Sequence, residues 1–172
     1  ASRCLSRLMF DRYGIKNTTI KVEGKEITAE YSDPDNITVN MGTANFATDW
    51  MPSQEKLWEL AEKYRIEPKE MVCVDIGNPH LVIFSKLGDK DKKIFGKNLQ
   101  KNELFINGVN VNFAQIDDDT IILKVWERGT GFTMACGSGA SASFAAANKL
   151  GFVDDEAKVA FELGTLKMNK KN

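Results

Sequence analysis

Leu5, Leu8 and Met9 recur at helical spacing across residues 2–12, and Gly14 follows as a stop, so the chain is expected to open on a short helix. Residues 18–22, 26–31 and 37–41 then read as strands of an antiparallel meander, with Gly24-Lys25 and Asp33-Pro34-Asp35-Asn36 as its turns. Ser53 is placed to cap a helix over 54–64, where Leu57, Trp58, Leu60, Ala61 and Tyr64 make one apolar stripe suited to packing. Strands at 72–76 and 81–84 flank Gly-Asn-Pro-His at 77–80, and 89–101 is a charged helix or loop. Further strands fall at 109–115 and 120–127. The stretch from Cys136 is so rich in Ala, Ser and Gly that no strongly polar face appears before Asn148-Lys149. Such a helix requires enclosure. Gly151 ends it, and strands at 158–161 and 165–168 close the chain.

Composition narrows the class. With 172 residues and 42% hydrophobic content the chain can bury a real core, as one domain or as a domain with a remnant of another. Its 23 basic and 24 acidic residues leave a formal net charge of -1, which gives no footprint for nucleic acid or an anionic membrane. The lysines at 90–93 are interrupted by acid and read as a solvated face. No apolar run approaches the roughly 18 residues of a membrane span, and the opening segment is too charged for a signal peptide. Three distant cysteines without CxxC spacing or companion histidines argue against a metal site and a disulfide scaffold. A reducing, cytoplasmic setting is expected.

The chemistry concentrates at 127–152. A strand feeds a turn containing Gly129 and Gly131, and Cys136-Gly-Ser-Gly then opens the small-residue helix. Free amides and the dipole at a helix start favour negative charge, whether a thiolate on Cys136 or a bound carboxylate. Gly137 and Gly139 leave those amides uncovered, and Ser138 adds a hydroxyl. The alternative is a buried structural cysteine. A phosphate-binding reading lacks both GKS/GKT and GxGxxG. Elsewhere, Glu127-Arg128 suits a zwitterion but also a solvated surface pair. Asn78-Pro79 reads as a turn between strands. His80, the sole histidine, could tune a thiol or serve as a hydrogen-bonded structural residue.

Four blocks, SRCLSRLMFDRYG from Ser2, DIGNPHLVIF from Asp75, NVNFAQ from Asn110 and WERGTGFTMACGSGA from Trp126, occur in the order found in diaminopimelate epimerases, and the chain resembles that family of cofactor-independent amino-acid racemases. The resemblance implies an α+β fold in which a central helix is wrapped by a curved, mostly antiparallel sheet. It implies a two-cysteine reaction without cofactor or metal, in which one thiolate removes an α-proton and an opposing thiol returns one to the other face. Inversion requires groups on both faces. By resemblance Cys136, His80 and Glu127 are the catalytic group, while Asn78, Asn110, Glu127, Arg128, Gly137 and Ser138 bind diaminopimelate.

The same resemblance implies that residues 1–43 are the later part of a first epimerase domain, 44–71 a connection with an extra helix, and 72–172 a second domain carrying Cys136. The opposing cysteine would fall just ahead of Ala1, and closing strands would follow Asn172. The chain is therefore expected to be a piece of an epimerase, inactive alone, and to form a homodimer or another association through its uncovered first-domain remnant. The rival expectations are a noncatalytic or split-gene module that needs a separate N-terminal half, and another isomerase on the same scaffold, such as a proline racemase relative.

Overall fold

The computed structural model describes residues 2–22 and 25–171, and it divides into two compact units, Ala1–Thr43 and Ala44–Asn172. Gly24, in the first expected turn, lies outside the described residues.

In the first unit, α1 (Ser2–Tyr13) precedes an antiparallel sheet of β1 (Asn17–Val22), β2 (Lys25–Asp33) and β3 (Asn36–Asn40), in that order. The turn after β2 is held by Asp33, whose Oδ1 accepts from the amides of Asp35 and Asn36 at 2.9 and 3.0 Å. This is the side-chain-to-backbone bonding that favours Asp in turns. Phe10 stacks on Tyr31 with ring centroids 4.0 Å apart. The packed side of α1 therefore carries Ser6 and Phe10, one helical turn apart, while Leu5 and Leu8 of the expected stripe are exposed.

The second unit contains α2 (Gln54–Lys63), β4 (Met71–Asp75), β5 (Pro79–Phe84), α3 (Asp89–Leu99), β6 (Asn110–Asp117), β7 (Thr120–Glu127), β8 (Gly131–Thr133), α4 (Gly137–Lys149), β9 (Glu156–Phe161) and β10 (Gly164–Asn169). The strands form one sheet in the order β10-β9-β7-β6-β5-β4. β8 shares the outer side of β7 with β9, pairing near the end of β7 where β9 pairs near its start. The pairs β5-β6 and β7-β9 are parallel and the rest antiparallel.

Strand alternation sorts the side chains into two layers. Val74, Val82, Ala114, Ile121, Leu123 and Val125 face α4, whose Ala140, Ala142, Ala146 and Ala147 are buried against them. Met71, Cys73, Leu81, Ile83, Val111 and Phe113 face the other way, toward Leu57, Leu60 and Ala61 of α2 and Leu99 of α3. Trp58, expected in the α2 stripe, is 47% exposed, because Leu57, Leu60 and Ala61 alone point at the sheet.

The α+β class holds, but the expected curved sheet wrapped around a central helix does not. The sheet is an open path whose outer strands, β4 and β10, do not pair, so it is neither curled nor closed. α4 is buried all the same. Its small side chains let it lie close across one face, touching β4, β5, β6, β7, β9 and β10, while α2 and α3 cover the other. Two covered faces make layers of a sheet that elsewhere would need closure.

Trp126 fixes how near α3 comes. A Cβ on Gly96 would stand 2.6 Å from Trp126 Cγ and 2.9 Å from its Cβ, where no flexible tip can move aside. Alanine favours an exposed helix by about 1 kcal/mol over glycine, but the clash outweighs that gain. Gly96→Ala is expected to destabilise the second unit by about 1–3 kcal/mol, read as a lower urea midpoint at unchanged slope.

Candidate functional site

Cys136 is the N-cap of α4, in extended geometry with φ -139° and ψ 111°, and its Sγ accepts from the Gly139 amide at 3.3 Å. The sulfur also lies 3.5 Å from Ser138 Oγ. Here the helix start that the glycine-rich sequence predicts is occupied by the thiol itself. The thiol is only 8% exposed, however, and burial pushes its pKa up. Bonds from Ser138 and Gly139 pull the other way, and the nearby Glu127 carboxylate adds to the rise. The expected stabilisation of a thiolate by the helix end is thus outweighed by desolvation, and the resting group is a thiol.

Close approach requires glycine at 139. A Cβ there would meet Val125 Cγ2 at 2.9 Å and Cys136 Sγ at 3.2 Å. Gly137 by contrast is exposed, with open space where a Cβ would be. It is the first residue of α4.

His80 reaches this helix end from β5. Strand alternation turns it to the α4 side between apolar neighbours, where it has no solvent exposure. Its Nε2 lies 3.2 Å from Ser138 Oγ and 3.2 Å from Asn78 Oδ1, and its Nδ1 lies 3.1 Å from Asn112 Oδ1. Asn78 Nδ2 reaches Ser138 Oγ at 3.4 Å. Burial lowers the pKa of the ring to about 4, against weaker pulls upward from Asn112 and the carboxylates of Glu127 and Asp75. The ring is neutral at pH 7.

Cys136, Ser138, His80 and Asn78 therefore form one hydrogen-bonded group, drawn from α4 and the β4-β5 turn. Glu127, at the end of β7, joins it through its influence on the thiol, and its Oε1 accepts from Thr133 Oγ1 at 2.6 Å. Asn110 and Arg128 stand apart from the sulfur. Asn110 Nδ2 donates to the Pro79 carbonyl at 2.9 Å and its Oδ1 accepts from the Arg128 amide at 2.9 Å, tying the start of β5 to the β7-β8 turn. Arg128 is exposed, and its Nη1 donates to the Asn107 carbonyl at 2.7 Å. Beside it Trp50, Pro79, Phe105 and Gly108 line a hollow of about 140 Å³.

Sequence reasoning missed Asn112, Asp75 and Thr133. Asn112 was detectable as a polar residue two places after Asn110 in an apolar strand, hence on the same face. Asp75 accepts from the Trp50 indole at 2.7 Å and from the Gly77 amide at 2.6 Å, which shapes the turn that presents Asn78. Its pairing with Asn45, through reciprocal backbone bonds of 2.8 Å, had no local signal. Among the described residues no group of His, Cys, Asp and Glu could hold a metal ion, and no helix is long and apolar enough to cross a membrane.

Known proteins resemble the chain in sequence and fold. The family model described as diaminopimelate epimerase matches residues 72–172. Diaminopimelate epimerases of Rickettsia akari and Rickettsia bellii are 54% and 52% identical over all 172 residues, and the chain spans 64% of the length of each. Among solved structures, one described as a predicted epimerase of Pseudomonas aeruginosa matches 96% of this chain and 67% of its own at a TM-score of 0.56, with 14% identity, a likeness of fold.

Two measurements follow from the burial of these groups. His80 has a folded-state pKa below its unfolded one, so its contribution to stability is complete above pH 6.5 and is lost as pH falls toward 4. Stability of the second unit is expected to drop by about 3 kcal/mol across that interval, and His80→Gln should flatten this limb of a urea-midpoint profile. In alkylation followed by mass spectrometry, exposed Cys4 should react first. Cys136 should react at pH values above the ordinary thiol range. Cys73, pushed up to about 12 by burial, should react only on unfolding.

Proposed function

The chain belongs to the diaminopimelate epimerase family, and from that premise we propose that it carries one of the two thiol sites of a cytoplasmic enzyme interconverting LL- and meso-2,6-diaminopimelate. The observation that carries this reading is the placement of Cys136 Sγ at the start of α4, bonded to the Gly139 amide and adjoining Ser138, His80 and Glu127.

In this reading the amide of exposed Gly137 and the Ser138 hydroxyl hold the reacting carboxylate, since both are donors at the positive end of a helix. Glu127 accepts from the substrate ammonium. Arg128 offers a guanidinium fork to a carboxylate, and Asn78 and Asn110 bind the distal amino-acid end. Enclosure by protein strengthens these contacts where charge develops on the α-carbon.

A thiol that rests protonated must lose its hydrogen before it can act as a base. Two acceptors adjoin it: the Glu127 carboxylate, and the His80 ring by way of Ser138. The S–H bond breaks as the hydrogen passes inward, and the thiolate then takes the α-hydrogen of the substrate. A lone thiol, once its hydrogen has exchanged with solvent, returns a hydrogen only to the face it came from. Cys73 is no second base, because it faces the opposite side of the sheet, among the residues packed on α2. Inversion accordingly needs a second thiol on the opposite face, which the family supplies from its first domain.

The test is deuterium exchange at the α-carbon of LL-diaminopimelate. The 172-residue chain is expected to introduce deuterium without net inversion, and Cys136→Ala to lower the exchange by about 100-fold or more. Inversion by the 172-residue chain at the rate of an intact relative would sink the one-thiol reading. Exchange undiminished in Cys136→Ala would remove Cys136 from its role. Calorimetry with diaminopimelate and with proline checks the substrate, and preference for proline would contradict the assignment.

A further inference from the structure

Asn112 has no place among the groups that meet substrate, yet its side chain is fully buried and bonded at both ends. Its Nδ2 donates to the Gly139 carbonyl at 2.9 Å and to Ser143 Oγ at 3.0 Å, both on α4. A backbone carbonyl only accepts, so this contact determines which end of the amide is nitrogen. Oδ1 is left facing His80 Nδ1 at 3.1 Å. An amide oxygen has no hydrogen to offer. The ring nitrogen must donate, and in a neutral imidazole the other nitrogen is then a bare acceptor.

We propose that Asn112 is a positioning residue: it holds His80 with the hydrogen on Nδ1, and thereby directs the hydrogen of the Cys136 thiol toward Ser138. The steps follow from donor counting. Nε2, without hydrogen, takes one from Ser138 Oγ, 3.2 Å away; Asn78 Oδ1, also at 3.2 Å, has none to give, and Asn78 donates there only with its amide turned to put the nitrogen against the ring. Asn78 is only half-buried and no carbonyl anchors its amide, so either end can face the ring. If Ser138 donates to His80, its oxygen lone pairs face the sulfur. When Ser138 donates to His80, Cys136 is the donor across the 3.5 Å contact, while Gly139 donates to the sulfur from the other side.

This orientation primes a short relay. The S–H bond breaks as Oγ takes that hydrogen, and the Oγ–H bond breaks as Nε2 takes the other. The products are a thiolate and an imidazolium, with no net change in charge. Nδ1 keeps its bond to Asn112 throughout. The use of this relay in catalysis rests on the role proposed above for Cys136, but the ring tautomer does not.

The chain has one histidine, so the ring is unambiguous in long-range proton–nitrogen NMR of the full labelled chain at pH 7. The expected result is hydrogen on Nδ1 and none on Nε2. A ring protonated at Nε2 overturns the proposal without any variant. Asn112→Asp keeps an oxygen against Nδ1 and adds negative charge, joining Glu127 and Asp75 as carboxylates acting on the ring, so its titration midpoint should rise by about one pH unit or more. An unmoved midpoint counts against the contact. Asn112→Leu removes the acceptor, and the Nε2-protonated form should become visible. An unchanged spectrum there would mean that other groups hold the ring, which overturns the assignment. A chain with the expected tautomer that neither binds diaminopimelate nor exchanges its α-hydrogen would retain this inference and lose the proposed function.

Discussion

The bond between His80 and Asn112 joins two polar side chains with no solvent exposure, and the second unit is built so that neither is left unsatisfied. A buried donor or acceptor without a partner costs on the order of 1–3 kcal/mol. That penalty sets demands on the backbone. β5 and β6 must run parallel with His80 opposite Asn110, which puts Asn112 two places along on the same face. α4 must come close enough for Asn112 to reach both Gly139 and Ser143. Only small residues allow that approach, and the buried face of α4 is made of Gly, Ala and Ser, with Phe144 the exception.

The same closeness determines the state of the thiol. A helix start alone would favour the thiolate, through the Gly139 amide and the dipole. Packing α4 into the sheet removes water from the sulfur, and desolvation is the larger effect. The Glu127 carboxylate acts in the same direction as burial. What results is a protonated thiol with Ser138, His80 and the Glu127 carboxylate around it. In the relay proposed above, neutral His80 has a nitrogen free to accept a hydrogen, which an imidazolium would lack.

The two asparagines of the Asn-Val-Asn-Phe run divide between backbone and ring. Asn110 bonds to the Pro79 carbonyl and the Arg128 amide, so it positions the strand that carries His80 and the turn that follows Glu127. Asn112 serves the ring itself. Asp75 does comparable work at the other end of the β4-β5 turn, where it receives the Trp50 indole and the Gly77 amide. The groups nearest the sulfur are thus held by polar side chains of β4 and β6. This explains why an open sheet suffices: the site is located by register and side-chain bonds, and not by closure of the sheet around α4.

Much of this was legible in the chain itself. Apolar runs at 72–76, 81–84, 109–115 and 120–127, separated by turn residues, marked the strands, and the step from Cys136 into small residues marked the start of the buried helix. The short β8 escaped notice, since three residues carry too little pattern. Leu8 and Trp58 were misplaced because periodicity shows that a stripe exists but not which edge of it meets the sheet. The motifs pointed to Cys136, Ser138, His80 and Asn78, and the structure brings these side chains within hydrogen-bond reach of one another. Whether the thiol is charged was not readable from motifs. That sign depends on how much water the folded chain leaves around one sulfur, and on which nitrogen of a distant ring carries a hydrogen, and both are set by contacts between residues far apart in sequence that exist only once the sheet and α4 have packed.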